Sequence, residues 1–256
     1  DDLKGAVNVI DIYIGTLEKD SPELQRGFET SELALYRNSI LAEIPDNFTE
    51  ALEHLESCKD VVVDIGSWLQ VKASYLLCKG DYAEARNMYV ELFKRGHGED
   101  YRLHSGYMCS VLEVDRSLCE EALKLKGTAT IATMLPLSRD QKVKLLDAYR
   151  EELGSIIGPD ADVHAQTYRR IPLTLLEGED LRKSLDKYCR RGLSKGVPSL
   201  GSDLSALFLV EKDGRYSPVS DPVIVKAHPV LQTLVELVTG FILALESDSK
   251  FSTSAD

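Results

Sequence analysis

The stretch "LLCKGDYAEARNMY", residues 76–89, decides the fold because it shows two helices meeting at a corner. Gly80 and Asp81 interrupt an apolar pattern with helical spacing, and such a pair is typical of a break between helices. The pattern then resumes with the small Ala85 and the large Tyr89. A small residue at this place predicts that another helix presses against the second helix of the pair.

The same arrangement occurs 34 residues earlier, in "AEIPDNFTEALEHL", residues 42–55. Moving forward by 34 residues takes Phe48 to Tyr82 and Ala51 to Ala85. A helix–turn–helix unit with this period is typical of tetratricopeptide arrays. Because one such unit cannot bury its own apolar face, the units stack into a solenoid.

A third corner is predicted at residues 177–178, followed by Ser184 in the position of the small residue and Tyr188 in that of the large one. The sequence therefore predicts an all-α, tetratricopeptide-like solenoid of helical hairpins with close helix crossings at Ala51, Ala85 and Ser184. The predicted helices cover residues 2–18, 27–43, 47–63, 66–79, 82–95, 99–113, 116–126, 137–153, 158–200 with a break at 177–178, 201–211 and 228–246.

Two segments interrupt this helical pattern. Residues 127–136 begin with the β-branched and small run "GTATIATML" and predict an insertion with a short extended piece, and residues 211–228 predict an irregular loop. We predict one domain over residues 1–246 and a disordered tail over 247–256. Since residues 2–18 have the spacing of a second helix with no first helix before it, we expect an internal section of a longer solenoid, truncated at both ends.

The composition excludes several classes of function. A net charge of −12 over 256 residues argues against a general DNA or RNA binder, because an acidic surface repels phosphates. No apolar run reaches the roughly 20 residues that span a bilayer, so we expect no membrane segment. Five cysteines without a Cys-x-x-Cys pair favour a reducing compartment, and we predict a cytoplasmic protein.

No motif for catalysis, metal binding or cofactor binding is found. The five histidines never form His-Glu-x-x-His or a zinc spacing with cysteine. Ser184 and Lys187 match a Ser-x-x-Lys nucleophile pattern, but its companion motifs are absent. The Gly-x-Gly in "FKRGHG", residues 93–98, follows a helix and predicts a helix end instead of a phosphate loop. We therefore predict no catalytic residue, no metal and no cofactor.

One concentrated basic group could bind a partner. Lys183, Lys187 and Arg191 lie at i, i+4 and i+8 of a predicted helix, and Arg190 and Lys195 widen the group. In so acidic a chain, this group could meet an acidic partner or RNA phosphates. The alternative is an ordinary solvated helix face, and the lack of interleaved aromatic residues weakens the case for RNA. We also predict that Arg182 pairs with Asp186.

Two segments resemble a known family. "FETSELALYRNSILAEIPDNFTEALEHL" (28–55) and "RRIPLTLLEGEDLRKSLDKYCRRGLSKGVP" (169–198) are similar to the auxiliary, tetratricopeptide-containing subunit of the N-terminal acetyltransferase A complex. The shared runs are Ser-Glu-Leu-x-Leu-Tyr, Glu-Ala-Leu-Glu-His-Leu, Arg-Arg-x-Pro-Leu, Leu-Asp-Lys and Ser-Lys-Gly. The family subunit is several times longer, and the segments around 127–136 and 211–228 depart from its pattern.

The resemblance implies a non-catalytic scaffold. In that family, a right-handed solenoid wraps the small catalytic acetyltransferase subunit in a heterodimer, reshapes its active site and docks it on the ribosome for acetylation of nascent chains. The acetyl-CoA-binding loop of the catalytic subunit is absent, since Phe93 stands where its first basic or amide residue would be. The alternative is a generic tetratricopeptide adaptor that holds a peptide, for which Asn38, Lys72, Asn87 and Lys94 form no repeated clamp.

Overall fold

The computed structural model describes residues 2–20, 27–45, 47–204, 207, 209–212, 215–218 and 229–247. In this part the chain forms a series of helices, a hairpin of two strands and a last helix. In chain order the helices are α1 Leu3–Asp20, α2 Phe28–Glu43, α3 Phe48–Ser57, α4 Ile65–Lys79, α5 Tyr82–Lys94, α6 Tyr101–Leu112, α7 Arg116–Leu123, α8 Ile131–Met134, α9 Arg139–Ala148, α10 Gly154–Ile157, α11 Thr167–Leu175, α12 Gly178–Ser194, α13 Leu200–Asp203 and α14 Pro229–Ser247, and a π-helical turn, Tyr149–Leu153, joins α9 to α10.

Consecutive helices pack as hairpins, and the hairpins stack on one another. Helix α2 packs on α3, α4 on α5 and α6 on α7, while α3 packs on α4, α5 on α6 and α4 on α6. The chain then continues through contacts of α6 with α9, α9 with α11, and α12 with both α11 and α14. The prediction of an all-α solenoid of helical hairpins is thereby confirmed.

The corner at Gly80 has the geometry that the sequence predicts. Gly80 has a φ of 92°, which is a left-handed conformation that glycine adopts without steric cost. The N–H of Gly80 donates to the carbonyl of Leu77 at 3.1 Å, and that of Asp81 donates to the carbonyl of Leu76 at 2.9 Å. These bonds satisfy carbonyls at the end of α4, so the chain turns sharply into α5.

Two of the three predicted close crossings are confirmed. Ala51 and Ala85 are both 0% exposed, so helices pack directly against them. The third is wrong: Ser184 is half-buried, and the buried residues of α12 are Leu185, Cys189 and Gly192.

The buried apolar residues form two clusters. The main core extends through α2 to α11, and its largest fully buried side chains include Tyr89, Phe93, Tyr107 and Tyr149. The second core contains four buried residues, with apolar residues of α12, α13 and α14 packed around them: Leu173, Leu185, Cys189 and Leu204. Helix α11 belongs to both cores and therefore joins the two parts of the molecule.

Several predicted boundaries are wrong. The helix predicted over 201–211 ends at Asp203, and strands Leu209–Lys212 and Arg215–Pro218 pair antiparallel in its place. This hairpin is an addition to the helical solenoid. The segment predicted as extended near 127–136 instead contains the short helix α8, and the N–H of Thr130, just before this helix, donates to Thr133 Oγ1 at 3.0 Å.

The ends of the other predicted elements agree unevenly with the structure. The helix predicted over 47–63 ends at Ser57, and the segment predicted over 158–200 becomes helical only at Thr167 and ends at Ser194. Ser138 caps α9 as predicted, accepting from the N–H of Gln141 at 3.3 Å. The predicted tail at 247–256 lies outside the described residues, except for Ser247, which ends α14. None of the helices described combines the length and the apolar character needed to cross a lipid bilayer.

Candidate functional site

Helix α12 presents the predicted basic group on its exposed side. The helix has Glu179 and Asp180 in its first turn, where the positive end of the helix dipole stabilises carboxylates. Its opposite side is buried in the second core. The structure leaves all five predicted residues exposed on or just after this helix: Lys183, Lys187, Arg190, Arg191 and Lys195.

Some members of this basic group form ion pairs within the helix and others do not. Arg190 Nε lies 2.9 Å from both carboxylate oxygens of Asp186, one helical turn earlier. Lys183 Nζ is 4.0 Å from Glu179. Lys187, Arg191 and Lys195 form no ion pair with any residue that the structure describes. Exposed pairs such as these add at most about 1 kcal/mol to stability.

The predicted pair between Arg182 and Asp186 is wrong. Asp186 accepts from Arg190, and Arg182 Nη2 instead lies 3.6 Å from Glu236 of α14. Helical spacing allows either arginine to reach Asp186, because each is four residues away from it. Arg190 takes this place, and Arg182 pairs with the neighbouring helix instead.

Two of the five basic residues also line a cleft. This basic cleft has a volume of about 260 Å³ and lies between α11, the end of α12 and the segment that leads into α13. Its lining residues are Gln166, Arg169, Arg170, Tyr188, Arg191, Gly192, Lys195, Val197, Ser199, Leu200 and Asp203. Arg191 and Lys195 belong to it, whereas the other three predicted residues do not.

Arg170 is the most firmly held cation of the basic cleft. Its Nη2 lies 2.8 Å from Asp203 Oδ2, and its Nε donates to Tyr188 Oη at 3.0 Å. Burial alone would lower the pKa of Arg170, but the hydrogen bond to Tyr188 and the nearby Asp203 raise it above its usual value. The guanidinium is therefore fixed in place and charged.

Gly192 allows the wall of the basic cleft to approach α12. A Cβ at this position would lie 2.7 Å from Leu200 Cδ1, so a larger residue would require the Leu200 side chain to move. The true close approach on α12 is at Gly192, not at Ser184.

Sequence reasoning missed Arg169 and Arg170 as part of the site. Both stand in the run "RRIPL" that carries the family resemblance, and two adjacent arginines at the start of a helix are a visible signal. Their distance of more than 20 positions from Arg191 hides the fact that they share a cleft.

The most perturbed histidine has a structural role. His104 is fully buried, its Nε2 lies 2.8 Å from the carbonyl oxygen of Gly98, and its Nδ1 lies 2.8 Å from Tyr149 Oη. Since a carbonyl only accepts, Nε2 carries the proton and Nδ1 accepts from the tyrosine. Burial lowers the pKa of His104 to about 4, so the ring is neutral. It stacks on Phe93 with 4.6 Å between ring centres and belongs to the main core.

Two of the four residues considered for a peptide clamp, Asn38 and Lys72, are engaged elsewhere. Asn38 is buried, and its Nδ2 donates to the carbonyl of Ala51 at 2.6 Å. Lys72 pairs with Glu56 and lies 3.6 Å from Glu84. No cluster of three or more possible metal ligands is found in the described part of the chain.

The fold and the site define a helical-repeat protein whose concentrated chemistry is a basic surface on the helix α12 and the cleft beside it. A family model for the auxiliary subunit of N-terminal acetyltransferase A matches residues 28–217, and the chain belongs to this family.

Relatives and a solved structure agree with this membership. The chain is 32% identical over 203 residues to the N-terminal acetyltransferase A complex auxiliary subunit NAA15 of Arabidopsis thaliana, covering 79% of this chain and 20% of the relative. It is 28% identical over 181 residues to the Homo sapiens N-alpha-acetyltransferase 16, NatA auxiliary subunit, covering 71% of this chain and 17% of that protein. The chain thus spans about a fifth of the length of these relatives.

A chain in a solved structure titled "Structure of Naa15/Naa10 bound to HypK-THB" matches the fold with a TM-score of 0.58 and 26% identity. The match covers 80% of this chain and 26% of that chain.

Proposed function

We propose that this chain is a section of a non-catalytic auxiliary subunit that holds and positions the catalytic subunit of an N-terminal acetyltransferase A complex. The observation that carries the proposal is the family match over residues 28–217. It is supported by the solved structure, whose title names Naa15 together with Naa10. Stacked helical hairpins expose long surfaces suited to holding another protein, which is the use that repeat proteins make of this architecture.

Purification of the native complex tests this proposal. The full-length protein, tagged and isolated from its own cells at mild salt, is expected to bring with it a small acetyltransferase. The recovered complex should transfer an acetyl group from acetyl-CoA to peptides with a small first residue such as serine. The auxiliary protein purified alone should not catalyse this transfer. If no acetyltransferase accompanies the protein, or if the protein alone is active, the proposed role is wrong.

We further propose that the exposed side of α12 helps to dock the complex on the ribosome in the cytoplasm. Support comes from Lys187, which has no ion pair within the described residues, and from Lys183, which lies 4.0 Å from its nearest carboxylate. Both cations are therefore available to phosphates of ribosomal RNA, whose binding weakens as salt rises.

Charge reversal tests the docking surface. The double variant Lys183→Glu/Lys187→Glu in the full-length protein is expected to sediment less with ribosomes at low salt. The matched control is Lys124→Glu/Lys126→Glu, which changes the net charge equally at two exposed positions near the end of α7. If both variants sediment equally with ribosomes, α12 is not part of the docking surface. A fluorescent fusion of the full-length protein would test the cytoplasmic location.

A further inference from the structure

We propose that the basic cleft is a binding site for the phosphate group of a small organic phosphate. The cleft is a concave site of about 260 Å³, just below the size range of pockets that enclose drug-sized ligands. This volume suits a phosphate group with a short organic part better than an extended polymer.

The charge of the lining residues favours a dianion. Four cations, Arg169, Arg170, Arg191 and Lys195, face a single lining carboxylate, that of Asp203, which leaves a net charge of +3 by this count. A phosphate monoester carries a charge of about −1.5 to −2 at neutral pH, whereas a carboxylate carries only one. The whole chain has a net charge of −12, so this concentration of positive charge is a local departure from the rest of the surface.

The geometry of the donors also favours phosphate. Arg170 is held in place by Asp203 at 2.8 Å and by Tyr188 at 3.0 Å, so its guanidinium is already ordered before binding, with its Nε and Nη2 engaged by these two residues. Arg169 and Arg191 form no ion pair within the described residues, so they supply two planar forks for an anion. Guanidinium groups match pairs of phosphate oxygens, and several of them together exceed what two carboxylate oxygens accept.

The backbone amides at the start of helix α11 are not available to a bound anion. The Glu99 carboxylate accepts from the N–H of Gln166 at 2.6 Å and from the N–H of Thr167 at 3.2 Å. Its Oε2 also accepts from Thr167 Oγ1 at 2.6 Å. Because these amides are already satisfied, the anion site depends on side-chain cations rather than on the helix dipole.

Binding is measured on the full 256-residue chain by isothermal titration calorimetry and by 31P NMR, at constant ionic strength. The probes are phosphoethanolamine and inorganic phosphate, with sulfate and acetate as the comparison anions. The test variant is Arg191→Gln/Lys195→Gln. The matched control, Lys183→Gln/Lys187→Gln, removes the same charge from the same helix outside the cleft.

Phosphoethanolamine is expected to bind more tightly than acetate, and the test variant should weaken this binding about tenfold or more, because it removes charge-assisted hydrogen bonds. The control should bind as the parent does. Arg191→Lys should weaken binding by less than the double variant, since it keeps the charge and loses the planar fork. Circular dichroism confirms that each variant is folded.

Three results would overturn the proposal: no binding of either phosphate probe at millimolar concentrations, equal binding of acetate and phosphoethanolamine, or equal weakening by the test and control variants. The last result would indicate diffuse attraction by α12 rather than a site. Ribosome sedimentation is a separate measurement, so failure of the docking surface leaves the result for the basic cleft unaffected.

Discussion

Replacing Gly106 with alanine tests the packing of the main core most sharply. A Cβ at this position would lie 2.8 Å from Tyr89 Cε1 and still closer to Cζ and the hydroxyl oxygen. The Tyr89 side chain is 1% exposed, so the ring has no free space into which it can move. Overpacking of this kind costs about 1–3 kcal/mol, and the rigid ring places Gly106→Ala at the upper end. Against this, alanine in a helix interior gains about 1 kcal/mol over glycine. The expected net destabilisation is about 2 kcal/mol.

The matched control is Gly15→Ala in α1, where an added Cβ has no neighbour within 4 Å. This variant is expected to gain up to about 1 kcal/mol, so the same chemical change has opposite signs at the two positions. Urea unfolding, followed by far-ultraviolet circular dichroism and by fluorescence of the only tryptophan, Trp68, measures both values. The melting temperature of Gly106→Ala should fall by about 4–8 °C. A Gly106→Ala variant as stable as the parent would refute the close approach of α6 to Tyr89.

Three further predictions concern buried groups. Because the pKa of His104 is about 4 when folded and about 6.5 when unfolded, the unfolded chain binds more protons between these values. Stability should therefore fall as pH drops from 6.5 towards 4, by a total on the order of 3 kcal/mol, and urea unfolding of His104→Gln across this range should show a weaker dependence than the exposed control His164→Gln. Burial raises the pKa of Cys78 to about 11, and the other four thiols are buried, so a thiol reagent should label all five rapidly only after denaturation. Rapid labelling of the native chain would contradict this burial. Glu99→Ala should lower the free energy of unfolding by about 1 kcal/mol, since it removes the cap of α11, and an unchanged urea midpoint would show that this cap is dispensable.

The repeat period was predictable because close helix crossings require small residues, and these recur at a fixed spacing in the sequence. Ala51 and Ala85 are 34 positions apart and both are fully buried. In the third unit the buried positions are shifted by one residue. Helix α12 buries Leu185 and Cys189, whereas the alignment predicts a close crossing at Ser184. Its close contact is made by Gly192, a position that the repeat alignment does not single out.

The site was predictable only in part. A stripe of cations on one helix follows from helical periodicity, so the exposed side of α12 could be predicted. The basic cleft requires α11 and α12 to be packed together, and this packing depends on long-range contacts that no local spacing encodes. The same holds for the ion pair of Arg182 with Glu236, which lies 54 positions further along the chain.

Helix α11 links the aromatic part of the main core to the basic cleft. It is nine residues long, which gives it a length of about 14 Å, and it contains Pro172. The ring of Tyr168 lies 6.4 Å from that of Tyr149, and Arg170, two residues further along the helix, lines the basic cleft. Because the same helical turn carries a side chain of each region, a substitution that shifts the start of α11 is expected to disturb the aromatic packing around Tyr149 and the basic cleft together.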